Sequence, residues 1–472
     1  MRKVLLVCIS ILSLNISFAQ RDFKGSWHGT LNGVKNLKVG FNISGENDDN
    51  LKATLDVPMQ GAKDMPCDGV TVSTDTLIVN MKSINGKYVG KMIDVNKIDG
   101  MWTQNGLDVP LVLRRVEGRI QLNRPQTPKP PYSYNSDDIL FYNETKSMEY
   151  GATITTPKDN KQHPALILIT GSGPQNRDEE LFQHKPFAVV ADHLTKNGYV
   201  VLRVDDRGVG RTGGSRVNAT SADFAEDVKD AIAYLKTRKE VDKKRIGLYG
   251  HSEGGMIAQL VALDNKDVDF IISMAGPGVK VSQTMTEQNI AQLKSRGVSE
   301  ESAKSYGELY SGIINDVLTS HKEDELTKKI AKTVDDWLAT ADEQTILQTF
   351  GRTDSASKAK FVTTFTEQVW NKWTNYFLHY DPQPVLEKLN CKVLALNGEK
   401  DIQVISKSNL AGYEKALAKS RSKVYDTKEI KGVNHLFQEC NTCTVQEYAE
   451  LEQTIKPEVL DIVTQWLDKN VK

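Results

Sequence analysis

An apolar run beginning near Arg245 ends in Gly250-His251-Ser252-Glu253-Gly254, the spacing Gly-x-Ser-x-Gly. A serine hydroxyl attacks a carbonyl only when its Oγ stands clear of the sheet and a base is at hand to take its proton. Glycines two residues to either side allow the sharp strand-to-helix turn that achieves this, because strand and helix then pass very close. The run Ile246–Tyr249 predicts the strand, and Met256–Leu263 predicts the helix whose N-terminus faces the serine.

The base and the acid that orients it belong on loops after later strands. Val393–Leu396 predicts such a strand, followed by a turn at Gly398 and by Asp401; Glu399 is the local rival carboxylate. Ile430 ends another strand, with Gly432 in the turn and His435 beyond it. Of the eight histidines, His435 alone lies in a loop after the last predicted strand. The resulting order Ser252, Asp401, His435 suits a parallel α/β sheet and differs from that of other serine-hydrolase scaffolds. An oxyanion also needs preorganised N–H donors. Glu253 N–H supplies one; the loop Gly171–Asp178, after the strand Ala165–Ile169, supplies the other from Gly173 or Ser172. That loop has neither Gly-Lys-Ser/Thr nor Gly-x-Gly-x-x-Gly, which argues against a phosphate cradle. Asp205 and Asp206, beside Arg207 and Arg211, invite a metal or catalytic reading; a buried turn stapled by an Arg–Asp pair accounts for them better.

The elements around these residues fall into distinct patterns. Residues 20–117 alternate apolar and polar positions (Leu37, Val39, Phe41, Ile43; Leu51, Ala53, Leu55, Val57) between turn-rich stretches, predicting an all-β barrel or sandwich closed by Trp27 and Trp102. Pro125, Pro128, Pro130 and Pro131 mark residues 118–133 as a stiff extended linker. From 134 to 472, continuous apolar strands alternate with helices, the pattern of a mostly parallel, doubly wound sheet covered on both faces. Between about 277 and 384 that rhythm gives way to helices alone, one capped near Ser299 and another through Phe361, Phe365, Val369, Trp373 and Phe377. A helical insertion at this place predicts a cap over the strand ends. Trp373 and Phe377 are its pocket candidates, although an aromatic stripe of this kind serves a core more often.

At 472 residues, 39% hydrophobic and 26% charged, the chain has the composition of a multi-domain globular protein. Arg2 and Lys3, the apolar run Val4–Phe18 and a small-x-small site at Ser17-Phe18-Ala19 predict a signal peptide over residues 1–19, and hence export to the periplasm or beyond. Cys8 lies within that run, so it does not read as a lipoprotein cysteine. A formal charge of −1, or −3 once Arg2 and Lys3 are removed, gives no reason to expect nucleic acid or a membrane surface as partner. Cys440 and Cys443 form a solitary CxxC without the second ligand pair that structural zinc needs. A local disulfide and two free thiols both fit that spacing.

Taken together, Gly171-Ser172-Gly173-Pro174, Asp206–Gly210, Gly250–Gly255, Gly398–Asp401 and Asn434-His435 resemble the α/β-hydrolase superfamily. Within it, the chain resembles exported bacterial esterases and serine-aminopeptidase-like hydrolases that carry an N-terminal β domain. Residues 134–472 carry most of the resemblance; the N-terminal part shares only Gly25-x-Trp27 and Asp56-x-Pro58-x-Gln60-Gly61. The resemblance implies a Ser252/Asp401/His435 triad hydrolysing carboxylic esters of short or modest acyl chains, with no metal and no cofactor. A peptidase of the aminopeptidase or prolyl type is the alternative; it would hold a peptide amino terminus with Glu253, Asp178 or Glu179. A non-catalytic polymer-binding surface protein is the third class, and it leaves the triad without a purpose. Nothing in the sequence speaks to the oligomeric state.

Overall fold

The computed structural model describes residues 22–33, 36–47 and 50–472. The leader read over residues 1–19, Cys8 included, lies outside the described residues. The chain divides into two units, residues 1–122 and 123–472.

The first unit is built on one nine-stranded antiparallel sheet. Its strands are β1 (Gly25–Leu31), β2 (Leu37–Ser44), β3 (Lys52–Val57), β4 (Ala62–Pro66), β5 (Gly69–Ser73), β6 (Thr76–Met81), β7 (Gly86–Asp94), β8 (Lys97–Gln104) and β9 (Leu107–Val116). The order β4-β3-β2-β1-β9-β8-β7-β6-β5 leaves β4 and β5 as its two edges. Of the two expected forms, barrel or sandwich, the unit takes the barrel-like one, as a half-barrel made from a single sheet. Period-2 alternation reveals strands and their buried face, but it does not say whether they join one sheet or two. The inward positions form one apolar cluster that includes Trp27, Phe41, Leu77, Tyr88 and Trp102.

The second unit holds a sheet of eight strands in the order β10-β11-β13-β12-β14-β15-β16-β17. These are β10 (Asn135–Tyr142), β11 (Glu149–Thr156), β12 (His163–Ile169), β13 (Val200–Val204), β14 (Val241–His251), β15 (Val268–Met274), β16 (Lys392–Gly398) and β17 (Tyr425–Ile430). β10–β11 and β11–β13 pair antiparallel; the pairs from β13–β12 to β16–β17 are parallel. Two apolar clusters cover the two faces, one containing Ile167, Leu248 and Ile271, the other Leu168, Tyr249 and Ile272. Central strands buried on both faces explain why they read as unbroken apolar runs.

Helices α1 (Pro186–Lys196), α2 (Ser221–Thr237) and α3 (Glu253–Asp264) connect the first parallel strands. α2 begins with a capping box between Thr220 and Asp223. Between β15 and β16 come α4 (Val281–Ser295), α5 (Glu300–Thr319), α6 (Glu323–Leu338), α7 (Glu343–Thr349), α8 (Ser355–Val369), α9 (Lys372–His379) and the short α10 (Gln383–Leu386); α11 (Ser406–Leu417) and α12 (Pro457–Asn470) follow later. The insertion has its own core around Leu309, Ile313, Ile330 and Val334. The helix expected to run from Phe361 through Phe377 is two helices. Asn371 accepts a hydrogen bond from Thr374 N–H at 2.8 Å and starts α9, so its capping overrides the apolar periodicity.

The start of the proline-rich stretch, read as a stiff extended linker, is anchored by side chains to the second unit. The buried guanidinium of Arg124 donates to the carbonyls of Phe182, Ala449 and Leu451, and the side chain of Gln126 binds Thr454 and Ile455. These partners lie far away in sequence, where composition gives no sign of them. No helix of the described residues is long and apolar enough to cross a membrane.

Candidate active site

Ser252 sits between β14 and α3 with φ 53° and ψ −119°. Its neighbours show why the turn demands glycine. A Cβ on Gly250 would lie 2.1 Å from Gly254 O, and one on Gly254 would lie 2.1 Å from Ile169 O. Ser252 N–H donates to Met274 O at 2.8 Å, which locks the elbow to the adjacent strand. The strained serine backbone is thus held from both sides, as expected where a reactive side chain must be presented.

Asp401 and His435 come together at the ends of β16 and β17. His435 Nδ1 lies 2.8 Å from Asp401 Oδ2, and both residues are only 4% exposed. The other carboxylate oxygen of Asp401 accepts from Gln403 N–H at 2.7 Å and Val404 N–H at 3.0 Å, while Asn397 Nδ2 donates to Oδ2. With the acid fixed by these three donors and its Oδ2 facing the ring, Nδ1 of His435 is placed to carry the proton and Nε2 to accept one. Glu399, the rival acid, accepts from Gly432 N–H on the exposed side of the same turn and does not reach the histidine.

His251, immediately before the serine, joins the elbow to the His435 loop. Its Nε2 donates to the His435 carbonyl at 3.0 Å, and Nδ1 lies 3.0 Å from Glu179 Oε1. Gly171 N–H donates to the same Glu179 oxygen at 2.7 Å. Burial opposes a charge on His251, but the Glu179 carboxylate outweighs it and holds the ring's pKa above its ordinary value. Sequence reasoning missed this link. The only signal was a histidine and a glutamate among other polar residues, with nothing to pair them.

Of the proposed oxyanion donors, Glu253 N–H lies in the first turn of α3 and stays free of intrahelical bonding. Gly171 packs against the elbow, since a Cβ there would lie 3.4 Å from Ser252 Cβ. Its N–H is committed to Glu179, whereas those of Ser172 and Gly173 have no acceptor among the described residues. Beside this loop a narrow cavity of about 50 Å³ is lined by Thr170, Gly171, Asp205, Asp206, Arg216 and Glu253, among others. A wider one of about 300 Å³ shares Arg216 and Phe224 with it and adds Gly173 and Trp373.

The Asp205–Gly214 turn is stapled as expected, but by a distant arginine. Arg177, from the oxyanion loop, holds Asp205 through two side-chain bonds of 2.6 and 3.0 Å, and Arg216 holds Asp206 at 2.9 Å. Burial pushes the Asp206 carboxyl up to about 6 despite its bonds to Thr170, Gln175 and Arg216. Asp178 is taken by Arg203 and Lys185. Trp373 reaches the site and donates its indole N–H to Glu253 Oε1, while Phe377 stacks behind it with ring centroids 4.9 Å apart. Cys440 and Cys443 form a disulfide in the loop after His435, where Glu447 accepts from the N–H groups of Asn441, Thr442 and Cys443.

Residues 184–336 match the family model described as serine aminopeptidase, S33 (Hydrolase_4). Esterase EstD of Thermotoga maritima is 32% identical over 146 residues, covering 31% of this chain and 34% of the relative, so the chain spans about a third of that protein's length. An uncharacterised 31.7 kDa protein of Escherichia coli is 23% identical over 325 residues, covering 68% of this chain and 95% of that protein. Among solved structures, the Pyrococcus furiosus esterase Pf2001 is similar with a TM-score of 0.43 at 16% identity, over 76% of this chain and all of that one. The parallel sheet and the serine elbow at the end of β14 give the second unit an α/β-hydrolase fold, and residues 184–336 are similar to the serine aminopeptidase family within it.

Proposed function

We propose that the protein is a serine esterase cleaving carboxylic esters of short or modest acyl chains. The observation that carries this reading is the buried Asp401–His435 pair, whose loop His251 ties to the strained elbow of Ser252. Ser252 Oγ attacks the ester carbonyl while His435 Nε2 takes its proton; Asp401 stabilises the imidazolium. The tetrahedral oxyanion is received by Glu253 N–H and a second N–H from Ser172 or Gly173. His435 returns the proton to the departing alcohol, leaving an acyl-serine. Water, deprotonated by the same imidazole, then releases the acid. The insertion α4–α10 is a cap that sets acyl size through Trp373. Export as a soluble enzyme fits the predicted leader and the disulfide.

One observation favours a second reading, in which the substrate carries an amine as aminopeptidase substrates do. Glu253 is 2% exposed, and its Oε2 has no hydrogen-bond partner and no cation among the described residues. A panel of p-nitrophenyl esters beside aminoacyl and prolyl p-nitroanilides decides between the readings. Turnover confined to esters supports an esterase; turnover of free-amine anilides with little on neutral esters overturns it.

A further inference from the structure

His251 is placed between two groups that can only accept hydrogen bonds. A backbone carbonyl, that of His435, lies 3.0 Å from Nε2, and a carboxylate oxygen, that of Glu179, lies 3.0 Å from Nδ1. A neutral imidazole has one N–H and satisfies only one such acceptor; an imidazolium satisfies both. Both residues are buried, at 8% and 6% exposure, so water does not substitute for either bond. The same Glu179 oxygen accepts from Gly171 N–H, and Glu179 itself adopts φ 50°, a left-handed conformation that this glutamate takes up at some cost. The pair therefore touches three active-site segments at once. Glu179 holds the start of the oxyanion loop, His251 is the residue before Ser252, and the His435 carbonyl is the backbone of the base.

We propose that Glu179 and a His251 that is an imidazolium at neutral pH form a positioning ion pair that fixes the His435 backbone relative to the elbow and the oxyanion loop. Neither side chain touches the reacting atoms. Its effect is registry: three loops at the ends of three different strands are held to one buried charge pair. A glutamine at position 179 would keep an acceptor for Gly171 and for the ring, but would remove the charge that keeps the second ring proton in place. Around the His251 ring, the titratable neighbours are Glu179 on the oxyanion loop, His435 with Asp401 behind it, and Tyr249 on its own strand. Of these, Glu179 supplies the favourable charge nearest the ring.

The inference goes beyond the esterase reading and is tested partly without it. In the intact protein labelled with ¹⁵N-histidine, the His251 ring is expected to show two protonated nitrogens at neutral pH, and one after Glu179→Gln. A neutral His251 ring in the wild type overturns the proposal whatever the enzyme hydrolyses. In turnover of a p-nitrophenyl ester, His251→Phe and Glu179→Gln are each expected to lower kcat about 10- to 100-fold with KM within about twofold, as misplacement of a base does. His251→Gln, which restores a donor to the His435 carbonyl, should recover part of the loss. The alkaline fall in kcat, where His251 loses its second proton, should move to lower pH in Glu179→Gln. Loss carried by KM, absence of rescue, or an unmoved alkaline limb reduces the pair to a structural one and overturns the positioning role. If no ester is turned over while the two-proton signature persists, the esterase reading has failed and the charged pair stands.

Discussion

Glu253 Oε1 accepts the indole N–H of Trp373 at 2.8 Å, so the first turn of the nucleophile helix is bonded to the helical insertion. The same oxygen accepts from Ser221 Oγ at 2.6 Å, which leaves Oε2 as the unsatisfied atom. Three other acids line the adjoining cavity, and each has its arginine: Asp205 with Arg177, Asp206 with Arg216, Asp227 with Arg207. Glu253 has none. A buried carboxylate without a cation is costly, and a glutamine would accept the same two bonds without that cost.

The first prediction follows from that imbalance. Ethyl 3-aminopropanoate and ethyl butanoate have acyl chains of the same length, differing by an ammonium in place of a methyl. If the Glu253 charge receives an amine, the wild type favours the cationic ester by about tenfold or more in kcat/KM, equivalent to about 1.4 kcal/mol. Glu253→Gln then brings the ratio towards one. A wild-type ratio at or below one shows that the carboxylate does not select amines.

A second prediction separates the catalytic roles. Ser252→Ala removes the nucleophile and should cost about 10³-fold or more in kcat while leaving the thermal transition in place. Asp401→Asn abolishes the charge that stabilises the imidazolium and lets the ring take the wrong tautomer, for about 10³- to 10⁴-fold. Glu399→Gln should change the rate less than about threefold, since that side chain meets only Gly432 N–H. Steady-state kinetics on the three purified variants check this. The assignment fails if the Glu399 variant is the most damaged.

Stability should depend on pH through His184, which is buried against Thr454 Oγ1 and the Tyr448 carbonyl. Burial, helped by the nearby Arg124, lowers its pKa from 6.5 to about 4. A depressed histidine pKa means that the unfolded chain binds the proton first. Stability is therefore fully present above about 6.5, falls as the pH drops, and stops falling from this cause below about 4. The loss is at most about 3.5 kcal/mol, from 1.36 kcal/mol per pKa unit. Urea midpoints from pH 7 to pH 4 should fall less steeply for His184→Gln than for the wild type. Parallel slopes would show that His184 is not the group responsible.

How much of this was legible depended on the range of the interaction. The elbow could be read because its glycines answer a local steric demand, Asp401 because it follows an apolar strand by a few residues, and His435 because it lies past the Gly432 turn that ends the last strand. The break at Asn371 was masked by apolar residues that kept helical spacing across it. The Glu179–His251 contact joins residues 72 apart in sequence, and nothing local to either one predicts it. The single N-terminal sheet was hidden for a different reason: alternation fixes which face is buried and leaves strand order open.

The last prediction concerns Arg124 and where the hydrolase unit begins. Composition suggests a stiff linker over residues 118–133 and a catalytic domain from 134. The structure puts the boundary after Leu122, and every residue of the candidate site lies in 123–472. Arg124 Nη2 donates to Phe182 O at 2.9 Å and Ala449 O at 2.8 Å, and Nη1 donates to Leu451 O at 2.6 Å. These bonds join the segment after the oxyanion loop to the segment after His435. Removing the guanidinium leaves three carbonyls without this donor, at about 1 kcal/mol each, or about 3 kcal/mol in all. A fragment spanning 123–472 should therefore keep hydrolysis of a short acetyl ester. A fragment spanning 134–472 and the full-length Arg124→Leu variant should both unfold at lower urea concentration than their parents. Equal midpoints for the two fragments would return residues 123–133 to the role of a spacer, and loss of acetyl-ester activity from a folded 123–472 fragment would mean that the N-terminal unit contributes to catalysis.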